Sequence, residues 1–177
     1  MFVEDAKKIL NPDEGLSMTA YPDGRGFSIG RGHFIRDPAI VKTLKNIGPG
    51  IHLSISPDLA EALFEEDVLA ATQGAIWLFG AAWAGIVPAR KTILVCLAYQ
   101  LGTEGLRADF PLFVAAVKRG DWERAAAELL WRDGVRKVDE SPYAQQTPAR
   151  ARRYAACLRA GNLGPLEAAH LVEEGGD

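Results

Sequence analysis

The sequence has few cysteines, and neither lies where a cysteine site is usually built. Among 177 residues, Cys96 and Cys157 each lie in an apolar stretch without a nearby cysteine or histidine. This spacing indicates neither a zinc site nor a redox motif. A disulfide bridge between the two residues and a pair of buried free thiols both remain open.

The sequence also lacks a long uninterrupted apolar run and a basic, apolar leader. Its longest apolar run, Ala75–Val87, contains Gly80 and Gly85 and is too short to cross a membrane as a helix. We interpret it as the buried end of a helix followed by a turn. Because acids such as Glu4 come early and no basic start precedes an apolar stretch, we expect no signal peptide and no membrane insertion.

Neither basic nor acidic residues are in large excess. Lys and Arg number 20 against 23 Asp and Glu, which gives a net charge of −3 and no overall field that would attract nucleic acid. Hydrophobic residues make up 48% of the chain and charged residues 24%, the proportions of a folded globular protein. We therefore expect no nucleic-acid partner. We also expect a monomer. No cluster of ligand residues suggests a metal or another cofactor.

The first fifty residues predict a helix followed by short strands. Apolar residues at helical spacing predict a first helix that ends near Asn11, because Pro12 disfavours continuation. Residues 21–24, Tyr-Pro-Asp-Gly, predict a hairpin turn, and residues 26–31 a second strand. Asp37 and Pro38 are typical of a helix start, here over about 38–47.

The rest of the chain predicts mainly helices. Residues 51–55 suggest one more strand, and Ser56-Pro57-Asp58 opens a long helix to about Trp77. Further helices are predicted over 89–102, 110–119, 121–132 and 147–160. The pattern indicates an α+β fold. We expect an N-terminal lobe over about 12–56, a connecting helix over about 57–77 and a helical lobe over about 78–163, with residues 1–11 packed on that lobe and a cleft between the lobes.

An ordered set of motifs follows the first helix. It comprises Glu14-Gly15-Leu16, Tyr21-Pro22-Asp23 and Ser28-Ile29-Gly30-Arg31-Gly32-His33. In this order the motifs resemble those of the phage-type lysozymes, glycoside hydrolase family 24, and the resemblance extends over most of the chain. It implies a lysozyme-like fold and an enzyme that hydrolyses the β-1,4 bond between N-acetylmuramic acid and N-acetylglucosamine in bacterial peptidoglycan, without metal or cofactor.

The resemblance also implies roles for three residues. Glycoside cleavage needs one carboxylic acid to protonate the leaving oxygen and a second carboxylate to activate water or stabilise the developing cation. Glu14 corresponds to the acid and Asp23 to the base, while the Ser28 hydroxyl corresponds to a group that helps to place the attacking water. Two other functions stay open: a lytic transglycosylase that uses Glu14 alone, and a non-catalytic wall-binding or virion module.

Each of these residues also has a structural interpretation. Asn11-Pro12-Asp13-Glu14 reads as a capping box, in which Glu14 only caps a helix, and Asp23 is an ordinary turn residue. The resemblance implies that Arg150 pairs with the catalytic Glu, against the alternative of one more exposed arginine. It also implies that His33 and Asp67 form a structural ion pair rather than a catalytic one.

Four further residues correspond to sugar-binding positions of the family, with core packing as the alternative. They are Phe34, Tyr99, Gln100 and Phe113. The chain departs from compact family members at residues 131–145, where we expect a polar loop, and near the carboxylates, so that inversion or retention of configuration is not decided. We expect the protein in the host bacterial cytoplasm before release to the periplasm, or in the virion.

Overall fold

The computed structural model describes residues 2–24, 26–46, 52–132 and 139–166. The chain is α+β, with one small antiparallel sheet and many helices. The elements before residue 80 are α1 (Phe2–Glu14), β1 (Ser17–Asp23), β2 (Gly26–Gly30), β3 (His33–Phe34), α2 (Pro38–Asn46) and α3 (Pro57–Phe79). After a 3-10 helix at Gly80–Gly85 come α4 (Pro88–Leu101), α5 (Thr103–Asp109), α6 (Pro111–Arg119), α7 (Trp122–Leu130), α8 (Pro142–Gln146) and α9 (Pro148–Ala160).

The chain divides into two compact units. We call Lys7–Ala70 the sheet unit, and Met1–Ala6 together with Ala71–Asp177 the helical unit. The boundaries fall inside α1 and inside α3. The predicted division into two lobes and a connecting helix stays a prediction.

Several helices begin where local sequence predicts them. The Asp37 carboxylate accepts hydrogen bonds from the backbone N–H groups of Ala39 and Ile40 at the start of α2, and the Ser56 hydroxyl accepts one from Leu59 at the start of α3. These side chains satisfy N–H groups that have no partner inside the helix. Helix starts are therefore encoded locally in this chain.

The first helix runs further than predicted, because Pro12 lies inside α1 and the helix ends at Glu14. Proline removes the hydrogen bond to the carbonyl four residues earlier. Here that residue is Lys8, which is exposed, so water can bond to the carbonyl. The capping-box interpretation of Glu14 is therefore wrong, since Glu14 lies at the end of a helix and not in its first turn.

The hairpin turn lies later than predicted. Tyr21 and Pro22 belong to β1, which continues to Asp23, and Asp23 pairs with Gly26. Proline is tolerated in an edge strand, and β1 is at the edge of the sheet order β1-β2-β3. Asp23 is therefore the last residue of a strand, where strand pairing fixes its position more firmly than a turn would.

The predicted strand over 51–55 is reduced to a short pairing. Thr19 and Ser54 form an isolated bridge, supported by hydrogen bonds from Ala20 N to Leu53 O and from Ile55 N to Met18 O. Residue 51 lies outside the described residues, as does the end of the predicted helix at residue 47. The segment extends the edge of β1 without becoming a regular strand.

The core of the helical unit centres on α4. All residues from Thr92 to Ala98 are buried, as expected of a helix that is covered on every side. Other fully buried side chains of this unit include Leu106, Phe113, Leu129, Tyr154 and Leu158. Cys96 and Cys157 are both buried and free of a disulfide bridge.

The loop expected over residues 131–145 is more ordered than predicted, and two short helices were not predicted. Trp131 pairs with Glu140, and Arg132 N donates to Asp139 O, so the ends of the expected loop are held together. Residues 133–138 of that loop lie outside the described residues, and its last part forms α8. The helices α5 and α8 are too short to produce a clear apolar period, so the sequence did not predict them.

By length and composition, the stretch Pro57–Gly85 could cross a membrane, contrary to what we expected from the apolar runs. The core helix of a soluble protein passes the same test. In its most apolar window of 18 residues, 39% is buried inside the protein. A single helix of this length and hydropathy is weak evidence for a membrane span.

Candidate functional site

Glu14 is the last residue of α1. Gly15 follows with a φ of 65°, a left-handed conformation that glycine adopts without strain, and this turns the chain towards β1. The Glu14 side chain is half-buried. The end of a helix and the start of a strand therefore fix a carboxylate from both sides.

The pairing of β1 with β2 places three polar side chains on one face of the sheet. Tyr21 lies opposite Ser28, and Asp23 lies opposite Gly26. Because side chains alternate along a strand, residues two apart share a face. Ser28 Oγ donates a hydrogen bond of 2.6 Å to Asp23 Oδ2.

The two partners of this hydrogen bond differ in exposure. Ser28 is fully buried, whereas Asp23 is exposed. A hydroxyl that donates to a carboxylate makes a charge-assisted hydrogen bond, which is stronger than a hydrogen bond between neutral groups. The buried hydroxyl therefore orients the exposed carboxylate. The role of Ser28 in placing the attacking water stays a prediction.

Tyr21 lies within electrostatic range of both carboxylates. Burial raises the pKa of the Tyr21 phenol above its usual value of 10.0, and the negative charges of Asp23 and then Glu14 raise it further. Negative charges oppose formation of a phenolate. Tyr21 was not singled out from the sequence as a site residue, although the Tyr-x-Asp motif contains it.

Phe34 lies on the same sheet face, opposite Ser28 in the pairing of β2 with β3. Its ring covers Gly26, where an added Cβ atom would lie 2.7 Å from Phe34 Cζ. A side chain at position 26 would therefore require the Phe34 ring to shift. Phe34 is 38% exposed, so it presents an aromatic surface beside Asp23 and Ser28.

His33 and Asp67 form a contact in the sheet unit, away from that face. His33 pairs with Ile29, whose side chain points away from the face that carries Ser28. His33 Nδ1 lies 2.9 Å from Asp67 Oδ2, and the two side chains are 26% and 28% exposed. The pair links β3 to α3 and is half-buried, less buried than the sequence suggested.

The remaining predicted site residues lie in the helical unit. Arg150 is half-buried in the first turn of α9, and Tyr99 and Gln100 are half-buried near the end of α4. Phe113 is fully buried. This agrees with core packing, the alternative to sugar binding in the sequence analysis. A ring without exposed surface has no face for a sugar.

Gln100 belongs to a hydrogen-bond network within the helical unit. Tyr143 Oη donates to Gln100 Oε1 at 2.6 Å, and Gln100 Nε2 lies 3.5 Å from the Tyr154 hydroxyl. The two tyrosines are buried and were not predicted from the sequence, because only the fold brings α4, α8 and α9 together. The network fixes the orientation of the Gln100 amide.

In the described part of the chain, no three His, Cys, Asp or Glu side chains come together as metal ligands do.

The chain is similar to known proteins along nearly its whole length. The chain is 34% identical over 173 residues to the pre-baseplate central spike protein of Enterobacteria phage T4, covering 88% of this chain and 28% of that protein. It is 26% identical over 175 residues to a probable T4-type lysozyme of Dictyostelium discoideum, covering 91% of this chain and 97% of that protein. No family model matches. The similarities relate the chain to lysozyme-like proteins of phage type.

Proposed function

We propose that the chain is a glycosidase of bacterial peptidoglycan, a muramidase that hydrolyses the β-1,4 bond between N-acetylmuramic acid and N-acetylglucosamine. The observation that carries the proposal is the hydrogen bond from the buried Ser28, which orients the exposed Asp23 carboxylate. Glu14 acts with Asp23 to raise the pKa of Tyr21, which suits a reaction that requires two carboxyl groups near one bond. The similarity to a T4-type lysozyme supports the same reaction class.

In the proposed mechanism Glu14 gives its proton to the glycosidic oxygen as the bond from that oxygen to the anomeric carbon breaks. The positive charge that develops on the sugar ring is stabilised by the Asp23 carboxylate, which also accepts a proton from the attacking water. Its exposure suits this role, because water reaches the carboxylate. The products are a reducing sugar and a free hydroxyl on the leaving sugar.

Ser28 is a positioning residue in this proposal. Its hydrogen bond holds Asp23 Oδ2 and leaves the second carboxylate oxygen to meet water. Phe34 offers an apolar ring next to these groups, a surface on which the apolar face of a sugar ring packs. The roles of Arg150, Tyr99 and Gln100 stay predictions.

The test is the activity of Glu14→Gln on permeabilised Gram-negative cells, followed by loss of turbidity. General acid catalysis contributes at least ~10²-fold to the rate, so we expect a loss of that size with an unchanged circular dichroism spectrum. Glu66→Gln is the matched control, since it removes the same charge from an exposed position of the sheet unit. Near-normal lysis by a folded Glu14→Gln protein would contradict the mechanism.

Asp23→Asn separates hydrolysis from transglycosylation. A hydrolase needs Asp23 to activate water and loses most of its activity, whereas a lytic transglycosylase uses the sugar's own hydroxyl and is only mildly impaired. Mass spectrometry of digested sacculi gives an independent answer, because only the transglycosylase leaves anhydro-muramic ends. Wild-type protein that binds sacculi without releasing fragments would identify a non-catalytic wall-binding module.

The similarity to a phage spike protein favours a second, compatible proposal, that the enzyme acts from a virion. Antibody detection on purified virions is the test. Detection there supports a role in entry, and its absence from virions together with accumulation in the infected host cytoplasm supports a role in lysis.

A further inference from the structure

The turn between β2 and β3 carries an arginine whose side chain reaches the end of α1. Arg31 lies between Gly30 and Gly32, whose φ angles of 66° and 88° suit glycine. Arg31 Nη1 donates one hydrogen bond to the carbonyl of Asn11, at 3.1 Å, and another to that of Gly15, at 3.2 Å. One nitrogen atom therefore joins two points of the chain around Glu14.

The C-terminal end of α1 is stabilised by a positive charge such as that of the Arg31 guanidinium. The carbonyls of a helix's last turn carry the partial negative charge of the helix dipole, which a nearby cation stabilises. The last turn of α1 contains no basic residue of its own. Arg31 supplies the cation from the sheet, and its two acceptors lie three residues before Glu14 and one residue after it.

The guanidinium is also restrained from a third element. It lies over the ring of Phe64, 5.5 Å from the ring centre, and Phe64 is a core residue of α3 that is 2% exposed. A guanidinium that contacts an aromatic ring loses less freedom when it forms hydrogen bonds. Arg31 thus ties the end of α1 to the packed part of the sheet unit.

We infer that Arg31 is a positioning residue that holds Glu14 in place through the backbone on both sides of it. The effect on catalysis rests on the proposed function, in which Glu14 is the acid. The two hydrogen bonds of Arg31 support the end of α1, where Pro12 removes one of the helix's own hydrogen bonds. Ser28 lies in β2, and Arg31 lies in the turn that follows β2. Ser28 then positions the Asp23 carboxylate, and Arg31 positions that of Glu14.

The experiment compares Arg31→Met, Arg31→Lys and the control Arg36→Met, which removes the same charge from an exposed position of the sheet unit. On soluble peptidoglycan fragments we expect Arg31→Met to lower kcat about 10- to 100-fold, the size of effect that a small misplacement produces, with KM within about twofold. Arg31→Lys keeps the charge and should recover part of the loss, and Arg36→Met should match wild type.

A second measurement is independent of activity. Amide hydrogen exchange by NMR should be faster in Arg31→Met at residues 13–16, and the Glu14 side-chain resonances should move, while the core of the helical unit is unchanged. If Arg31→Met does not fold, Arg31→Lys is compared with wild type by the same two readouts, with smaller changes expected in the same direction.

The outcomes separate this inference from the proposed function. An inactive wild-type protein contradicts the proposed function, and the NMR changes then decide whether Arg31 positions Glu14. Faster exchange with unchanged kcat would overturn the positioning role and leave Arg31 as a helix cap only. Unchanged exchange and unmoved Glu14 resonances in Arg31→Met would overturn the inference altogether.

Discussion

In the helical unit polar side chains lie inside the core and bond to one another, whereas in the sheet unit the carboxylates lie near the surface. Tyr143 and Tyr154 are buried on either side of Gln100, and the carboxylate of the buried Glu128 contacts Arg124. In the sheet unit Asp23 is exposed and Glu14 half-buried, and a buried serine holds Asp23.

Because of this difference, we expect substitutions in the helical unit to affect stability and substitutions of the sheet-unit carboxylates to affect activity. A buried polar group must keep its partner, because an unpaired one costs free energy, so the helical unit is sensitive to any loss of packing or bonding. An exposed carboxylate is hydrated, so its loss costs the fold little, and under the proposed mechanism it changes the reaction more. Substitutions in the two units should therefore affect different measurements.

The largest stability effect is expected for Phe113→Ala in the helical unit. Removal of a fully buried phenylalanine ring leaves a cavity, and the free energy of unfolding should fall by about 3–5 kcal/mol. Urea denaturation measures this loss. Phe113→Leu keeps most of the volume and should cost less than about 1.5 kcal/mol. A stable Phe113→Ala protein with weakened sugar binding would show that Phe113 is a ligand contact after all.

His33→Asn tests whether the contact between His33 and Asp67 stabilises the sheet unit. The contact with Asp67 is half-buried, so its loss should cost about 1–3 kcal/mol, between the values for exposed and buried pairs. Urea denaturation of His33→Asn, Asp67→Asn and the double variant isolates the pairwise energy. If His33→Asn unfolds like wild type and yet loses activity, His33 has a role in the reaction instead.

Tyr143→Phe tests the buried network of the helical unit. It removes a hydrogen bond of 2.6 Å to Gln100, so we expect a loss of about 1–2 kcal/mol in the free energy of unfolding. Tyr154→Phe should cost less, because its distance to Gln100 is 3.5 Å. Equal costs for the two variants, measured by urea denaturation, would contradict the view that the shorter contact orders the amide.

The smallest expected effect is a change in the titration of Tyr21. Its pKa is raised by burial, Asp23 and Glu14, so ultraviolet difference spectra of wild type against Tyr21→Phe should show phenolate formation above pH 10. Asp23→Asn should lower this pKa, and Glu14→Gln should lower it less. The opposite order would mean that Glu14 is nearer to the phenol than Asp23.

The same shift predicts a pH dependence of stability. A phenol whose pKa is higher in the folded state disfavours the folded state once it ionises. The contribution of Tyr21 is therefore fully present below its ordinary pKa of about 10 and is lost as pH rises through the raised value. Wild type should lose more stability than Tyr21→Phe above pH 10, and the two should respond alike below it.

The sequence predicted features that depend on near neighbours. Asp37 and Ser56 begin helices because their side chains bond to N–H groups two or three residues away. The bounds of α4 and α9 agree with prediction within about a residue, and each helix has a proline in its first turn, which is a local signal. The ordered motifs from Glu14 to His33 gave the reaction class through resemblance.

Tertiary structure decided the features that depend on distant parts of the chain. The continuation of β1 to Asp23 follows from pairing with β2, and the close contact of Gly26 with the ring of Phe34 comes from the pairing of three strands. The burial of Phe113 follows from the helices packed around it. Arg31 donates a hydrogen bond to the carbonyl of Asn11, which lies twenty residues away in sequence. The residues next to Arg31 and Asn11 in sequence do not predict this contact. It forms because folding of the sheet unit brings the turn after β2 to the end of α1.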